Sequence, residues 1–124
     1  MATNSMHVYV TSEHKPNKSI PSKGIYVFSY TVHITNNGTQ SAQLISRHWI
    51  IADAMQTIRK VSGLGVVGKQ PLIAPGGTFQ YSSNCQLDTA VGSMRGSYVF
   101  ASEDGKVFEV PIPEFVLAAP QTLH

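Results

Sequence analysis

The sequence holds 124 residues, with nine Lys or Arg against seven Asp or Glu, a formal charge of +2 and a single cysteine. A chain of this size buries roughly two-thirds of the surface it exposes when unfolded, enough for an ordinary core without metal or disulfide, and Cys85 alone excludes an intramolecular disulfide and suits a reducing cytoplasm. The cations are scattered rather than massed on one stripe, which argues against nucleic acid as a partner, and no apolar run approaches the ~18 residues of a membrane-spanning helix.

The first residues, Met1 to His7, are polar and lack a charged segment followed by an apolar one, so no signal peptide is expected. His7 to Thr11 predicts a strand, and His14 to Lys23, with Pro16, Asn17 and Pro21, predicts a loop that cannot form a long helix. The segment Gly24 to Asn36 predicts the clearest strand. Tyr26, Phe28, Tyr30, Val32 and Ile34 share one face of a strand and Ser29, Thr31, His33 and Thr35 the other. Ile25 and Val27 either offer an exposed apolar contact or pack under the preceding loop.

Asn36 to Gly38 suits a tight turn with positive φ. Gln43 to Asp53 predicts the next strand, with apolar residues on both faces that suggest a bulge near His48, and Arg47 and Trp49 sharing a face. On that face the guanidinium could lie over an aromatic ring or against a buried carboxylate. After a turn at Asp53 to Gln56, Thr57 to Val61 predicts a short charged edge strand. Leu72–Ile73 and Thr78 to Ser82 follow as strands, then a turn-rich stretch from Asn84 to Ser93, and a strand through Met94, Tyr98, Val99 and Phe100. Glu103 to Lys106 marks a hairpin leading into Val107 to Val110. Pro111 and Pro113 then make Phe115 to Leu117 either an edge strand or a new element. About eight strands without a helix predict an all-β, two-sheet antiparallel sandwich.

The segment with most chemical interest is Val61 to Gly77. Gly63, Gly65 and Gly68 match a dinucleotide-binding spacing, but that fingerprint needs a helix whose N-terminal amides meet the pyrophosphate. Pro71 and Pro75 forbid one here. Two readings remain: a tight inter-strand connection that requires glycine, or a nest of backbone amides that holds an anion with help from Lys69. Elsewhere, His7, His14, His33, His48 and His124 have no partner at metal-site spacing, so neither a metal nor another cofactor is expected. Ser46, Arg47, His48 and Asp53 include hydrolase residue types without a nucleophile elbow, and Cys85 reads as a core thiol. No catalytic residue is assigned and no enzymatic activity is expected.

The blocks Tyr26 to Val32, Gln43 to Ile50, Gly63 to Gly68, Gln70 to Gly76, Gly92 to Tyr98 and the tail from Pro111 to His124 resemble, in that order, the bacterial ApaG family across nearly the whole chain. The resemblance implies one ApaG domain spanning 1–124, an immunoglobulin/fibronectin-III-like β-sandwich in the cytoplasm. It implies a non-catalytic protein linked to cobalt tolerance and magnesium efflux, with a protein partner suggested by reuse of the domain in eukaryotic proteins. It also implies an alternative, binding of pyrophosphate-containing nucleotides such as dinucleoside polyphosphates, on Gly63, Gly65, Gly68 and Lys69. Leu64 departs from the acidic residue that some members carry, which argues against a metal ligand within the loop.

Overall fold

A computed structural model describes residues 5–120; Met1 to Asn4, His124 and the end of the tail block lie outside them. Eight strands form, β1 (Met6–His14), β2 (Tyr26–Asn36), β3 (Ala42–Asp53), β4 (Ile58–Leu64), β5 (Leu72–Ile73), β6 (Thr78–Leu87), β7 (Val91–Ser102) and β8 (Val107–Ala118). Two short 3-10 turns, Pro16–Lys18 and Pro21–Lys23, occupy the proline-bearing loop. One antiparallel sheet runs β1-β2-β6 and the other β4-β3-β7-β8, with β5 also paired to β3. The sheets stack over a single apolar core, the architecture of an immunoglobulin/fibronectin-III-like sandwich. Among the described residues no helix is long and apolar enough to cross a membrane.

The alternation read in β2 is the alternation the sheet uses. Phe28, Tyr30, Val32 and Ile34 are buried, and the residues between them are not. Each such side chain contributes about 1.5–3 kcal/mol on burial. From the opposite sheet Trp49 meets Tyr30, Tyr98 and Phe115 edge-on, with ring centroids 5.5, 6.3 and 6.0 Å away. Ile25 and Val27 are half-buried under the loop, where Ile20 bridges Ile25 and Ser19 Oγ accepts the Val27 N–H.

Several elements differ from the sequence-based expectation. The bulge in β3 lies between Leu44 and Ser46 rather than near His48. Its effect is to reverse the facing of the strand: Ala42 and Leu44 point inward before it, Trp49 and Ile51 after it. Neither Asn37 nor Gly38 takes a positive φ. Asn36 is instead buried, its Nδ2 donating to the carbonyls of Gln40 and Ile73 (both 2.9 Å) and its Oδ1 accepting the Gly38 N–H (2.9 Å), so the side chain itself makes the turn. β6 continues through Asn84 to Leu87, because Cys85 and Leu87 keep the inward phase of Phe79 and Tyr81. β8 runs unbroken past Pro111 and Pro113, since it is the outermost strand of its sheet and absorbs them with a bulge opposite Met94 to Gly96.

A hydroxyl pair joins the two sheets through the core, Tyr81 Oη of β6 to Tyr98 Oη of β7. Burial pushes the phenols of Tyr30, Tyr81 and Tyr98 above their ordinary value. Because the unfolded chain ionises these groups near pH 10 and the folded one does not, their contribution is complete below about pH 10 and lost as pH rises above it. Unfolding free energies from urea titrations between pH 8 and 12 should therefore fall steeply on the alkaline side, by up to about 1.4 kcal/mol per pH unit for each tyrosine. Tyr98→Phe should flatten that decline while lowering neutral stability; an unchanged alkaline slope would refute this account.

Candidate functional site

The glycine segment closes the β4 end of the larger sheet, and its geometry follows from a short chain of contacts. Val66 is fully buried and anchors the segment in the core. The Gly65 N–H donates to the Ile45 carbonyl (2.8 Å), while Val66 and Lys69 exchange both backbone bonds, at 2.8 and 2.9 Å. Val67 and Gly68, with φ of 41° and 79°, form the two central residues of a tight turn. The order strand, two-residue turn, bridge explains why no helix follows.

The glycines have separate physical reasons. At Gly65, with φ 65°, a Cβ would lie 2.3 Å from the Lys69 carbonyl oxygen, so any side chain clashes with backbone. At Gly63 an added Cβ would meet the Arg47 guanidinium at 3.0 Å. That guanidinium passes beneath Gly63, and its Nη1 donates to the carbonyls of Leu64 (3.1 Å) and Gly65 (2.9 Å). Arg47 and Trp49 share the inward face as expected, but the arginine holds main-chain carbonyls rather than a carboxylate. The Ile45 carbonyl also accepts Gln70 Nε2 at 2.9 Å, so the bulge residue is tied to both ends of the segment.

Of the residues expected to bind an anion, Gly65 and Lys69 have their amides engaged within the fold, and Gly63 lies in the β3–β4 ladder opposite Arg47. Gly68 sits at the exposed tip beside Val67, and Lys69 is exposed. The segment thus gives its Leu64 and Gly65 carbonyls to a cation, while the Val67 and Gly68 amides make no hydrogen bond within the fold. The sequence points to Arg47 but not to its partners, to Leu64 as a departure from an acidic position and to Leu72 as a strand residue, and to neither of these nor Val67 as an exposed apolar group. Leu64, Val67 and Leu72 are 75%, 53% and 68% exposed at one end of the larger sheet.

Residue types suggestive of hydrolysis are not assembled. Strand alternation places His48 on the outer face, where Nδ1 lies 2.7 Å from Ser62 Oγ, and Arg47 on the inner one. Asp53 Oδ1 accepts the N–H groups of Met55 (2.8 Å) and Thr57 (3.0 Å), capping the β3–β4 turn. His14 faces Ser19, and His33 stacks on Tyr9 with ring centroids 4.3 Å apart. Cys85 is buried, and burial pushes its thiol up although Arg59 Nη2 lies 3.9 Å from the sulfur. Among the described residues no three His, Cys, Asp or Glu gather as a metal-ligand set.

Gly65→Ala should cost more than about 2 kcal/mol, since strain and a backbone clash coincide there, and Gly63→Ala less, because a guanidinium can shift. Arg47→Met should release the loop, so that the Gly65 amide exchanges at least ten times faster in hydrogen-exchange spectra. Unchanged Gly65 exchange would show that Arg47 does not hold the segment, and equal costs for the two glycine variants would show that the guanidinium beneath Gly63 cannot shift.

The chain has counterparts among known proteins. The ApaG domain model matches residues 16–102. Protein ApaG of Bordetella pertussis is 57% identical over 117 residues, covering 94% of this chain and 89% of the relative. Protein ApaG of Ralstonia nicotianae is 48% identical over 124 residues, the full length of both. Among solved structures, the crystal structure of the ApaA protein from Bordetella pertussis superposes with a TM-score of 0.91 at 56% identity, covering 94% of this chain and 95% of that one. The sandwich, the glycine turn and these matches together place the chain in the ApaG domain family.

Proposed function

We propose that this ApaG chain is a non-catalytic protein-interaction module of the cytoplasm, and that its link to cobalt and magnesium homeostasis runs through a protein partner rather than through an ion held by the chain. The observation that carries the reading is the exposed apolar group at the glycine turn. Leu64 and Leu72 pair with Ser46 and Gln43 and project from the solvent face of the larger sheet, with Val67 at the tip between their strands. Val67 is the more telling because it is β-branched at φ 41°, a conformation that costs such a residue on the order of 1–3 kcal/mol. Asparagine would relieve the strain and suit water better, so an exposed valine is explained by a contact it makes with something else.

Val67→Asn should raise stability by about 1 kcal/mol in urea denaturation while weakening partner capture. A photo-crosslinking residue placed at 64 or 72 in living cells should trap a reproducible partner, and one at Val107, at the far edge of the sheet, should not. Failure of positions 64 and 72 to trap any protein would remove the reading.

The alternative, a pyrophosphate-containing nucleotide at Gly63 to Lys69, is supported by the Val67 and Gly68 amides, which make no hydrogen bond within the fold, and by the exposed Lys69 next to them. Titration with ATP and a dinucleoside polyphosphate should then shift the Val67 and Gly68 amides first and weaken with Lys69→Gln. No shift at millimolar nucleotide would exclude it.

A further inference from the structure

The phase of the β3–β4 ladder determines which backbone groups of β4 are free. At one end Gly65 N–H donates to Ile45, and at the other Asp53 N–H donates to the Thr57 carbonyl (3.1 Å). The register between them is continuous, from Ser46 opposite Leu64 to Ala52 opposite Ile58. Antiparallel pairs alternate between those that exchange hydrogen bonds and those that do not. Residues 57, 59, 61, 63 and 65 therefore turn their main-chain groups toward β3, and Ile58, Lys60, Ser62 and Leu64 turn theirs outward. Arg47 takes the Leu64 carbonyl. Four N–H groups and three carbonyls remain along a seven-residue edge without proline or bulge.

Two other edges are interrupted or partly engaged. β8 carries Pro111, Pro113 and a bulge, and Ser12 Oγ of β1 donates to its Val116 carbonyl at 3.1 Å. At β6 the Gln86 carbonyl accepts Arg59 Nη2 at 2.6 Å. The open β4 edge also has a definite charge. The residues that bear its free groups, Ile58, Lys60, Ser62 and Leu64, put their side chains on the outer face of the sheet, followed there on β3 by Ser46, His48, Ile50 and Ala52. Ile50 lies directly opposite both Lys60 and Arg95. Lys60 and Arg95 are its fixed cations, while Glu109, three strands from β4 on β8, accepts Ser97 Oγ at 2.9 Å. Like charge discourages a second copy, and an anionic strand is favoured.

Resting on the protein-interaction reading above, we infer that β4 accepts an extended acidic segment of the partner as an additional strand. The main-chain groups of Ile58, Lys60 and Ser62 supply the ladder, a carboxylate lies beside Lys60, and apolar side chains flank it toward Ile58 and Leu64. This assigns Lys60 the selection of charge and the glycine turn the presentation of an apolar stop at the end of the strand.

The test uses the full chain labelled with nitrogen-15 and synthetic nine-residue peptides that carry a central Glu or Lys, Val two and four positions to either side of it, and Thr between. The Glu peptide should slow hydrogen exchange at Ile58, Lys60, Ser62 and Leu64 while leaving Arg59, Val61 and Gly63 as they were. Lys60→Glu should weaken the Glu peptide at least tenfold and admit the Lys peptide. Ser62→Pro removes an outward N–H without touching the β3 ladder, so it should block both peptides with little change in melting temperature. Equal response to the two peptides, protection without the alternating pattern, or β4 protected by self-association in the absence of peptide would overturn the inference. A crosslinked partner retained by both Lys60→Glu and Ser62→Pro would also overturn it, while leaving the protein-interaction reading intact.

Discussion

The facing of β3 is reversed by one residue, and much of the molecule depends on that reversal. Ile45 sits in a bulge, so Leu44 and Trp49 both reach the core although five positions separate them. Without the extra residue, Trp49 would project into solvent and its three edge-on aromatic contacts would be lost. The same shift turns Arg47 inward. There its guanidinium cannot remain unpaired, since an uncompensated cation beneath a sheet is costly, and the carbonyls of Leu64 and Gly65 answer it. The glycine turn is thus the counterpart of a bulge on the neighbouring strand.

That coupling changes what three spaced glycines signify. In a dinucleotide-binding loop the amides converge outward on phosphate and the carbonyls are incidental. Here the carbonyls converge inward on a cation, and the spacing arises from a guanidinium beneath Gly63, a left-handed residue at Gly65 and a turn position at Gly68. The nearest thing to an anion site is the tip itself, and the tip also carries an exposed valine. Apolar contact and main-chain pairing are therefore the chemistry that this end of the sandwich offers in greatest extent.

The sheets were legible in the sequence wherever alternation was clean, as in β2, where five large side chains at every second position state the inward face outright. The Asp-Gly hairpin was equally plain, and Gly105 takes φ 82° there. Phase was lost where two apolar residues adjoin, as at Leu44 and Ile45, because neither neighbour says which one faces the core. β6 was read short because Asn84 and Gln86 look like turn residues, although Cys85 and Leu87 continue the alternation. Arg47 could be suspected from its place beside Trp49, but its partners could not, since carbonyl oxygens carry no residue identity. The free groups of β4 were out of reach for a similar reason: which half of a strand's amides face its neighbour is a matter of register, and no side chain records it.

The hydroxyl pair between Tyr81 and Tyr98 has a consequence beyond its sensitivity to alkali. Around it the faces of the two sheets meet through rings and aliphatic chains, whose contacts carry no direction; the other bonds between the sheets, Asn36 to Ile73, Ser12 to Val116 and Arg59 to Gln86, come from strand ends and edge strands. A directional bond between β6 and β7 fixes one sheet against the other in translation, as a dowel aligns two boards. Buried polar pairs of this kind need add little net stability; what they remove is the set of sheared packings that an all-apolar interface would tolerate. In a protein whose exposed strand edge lies on one of those boards, that alignment keeps the edge at a constant height and angle relative to the rest of the surface.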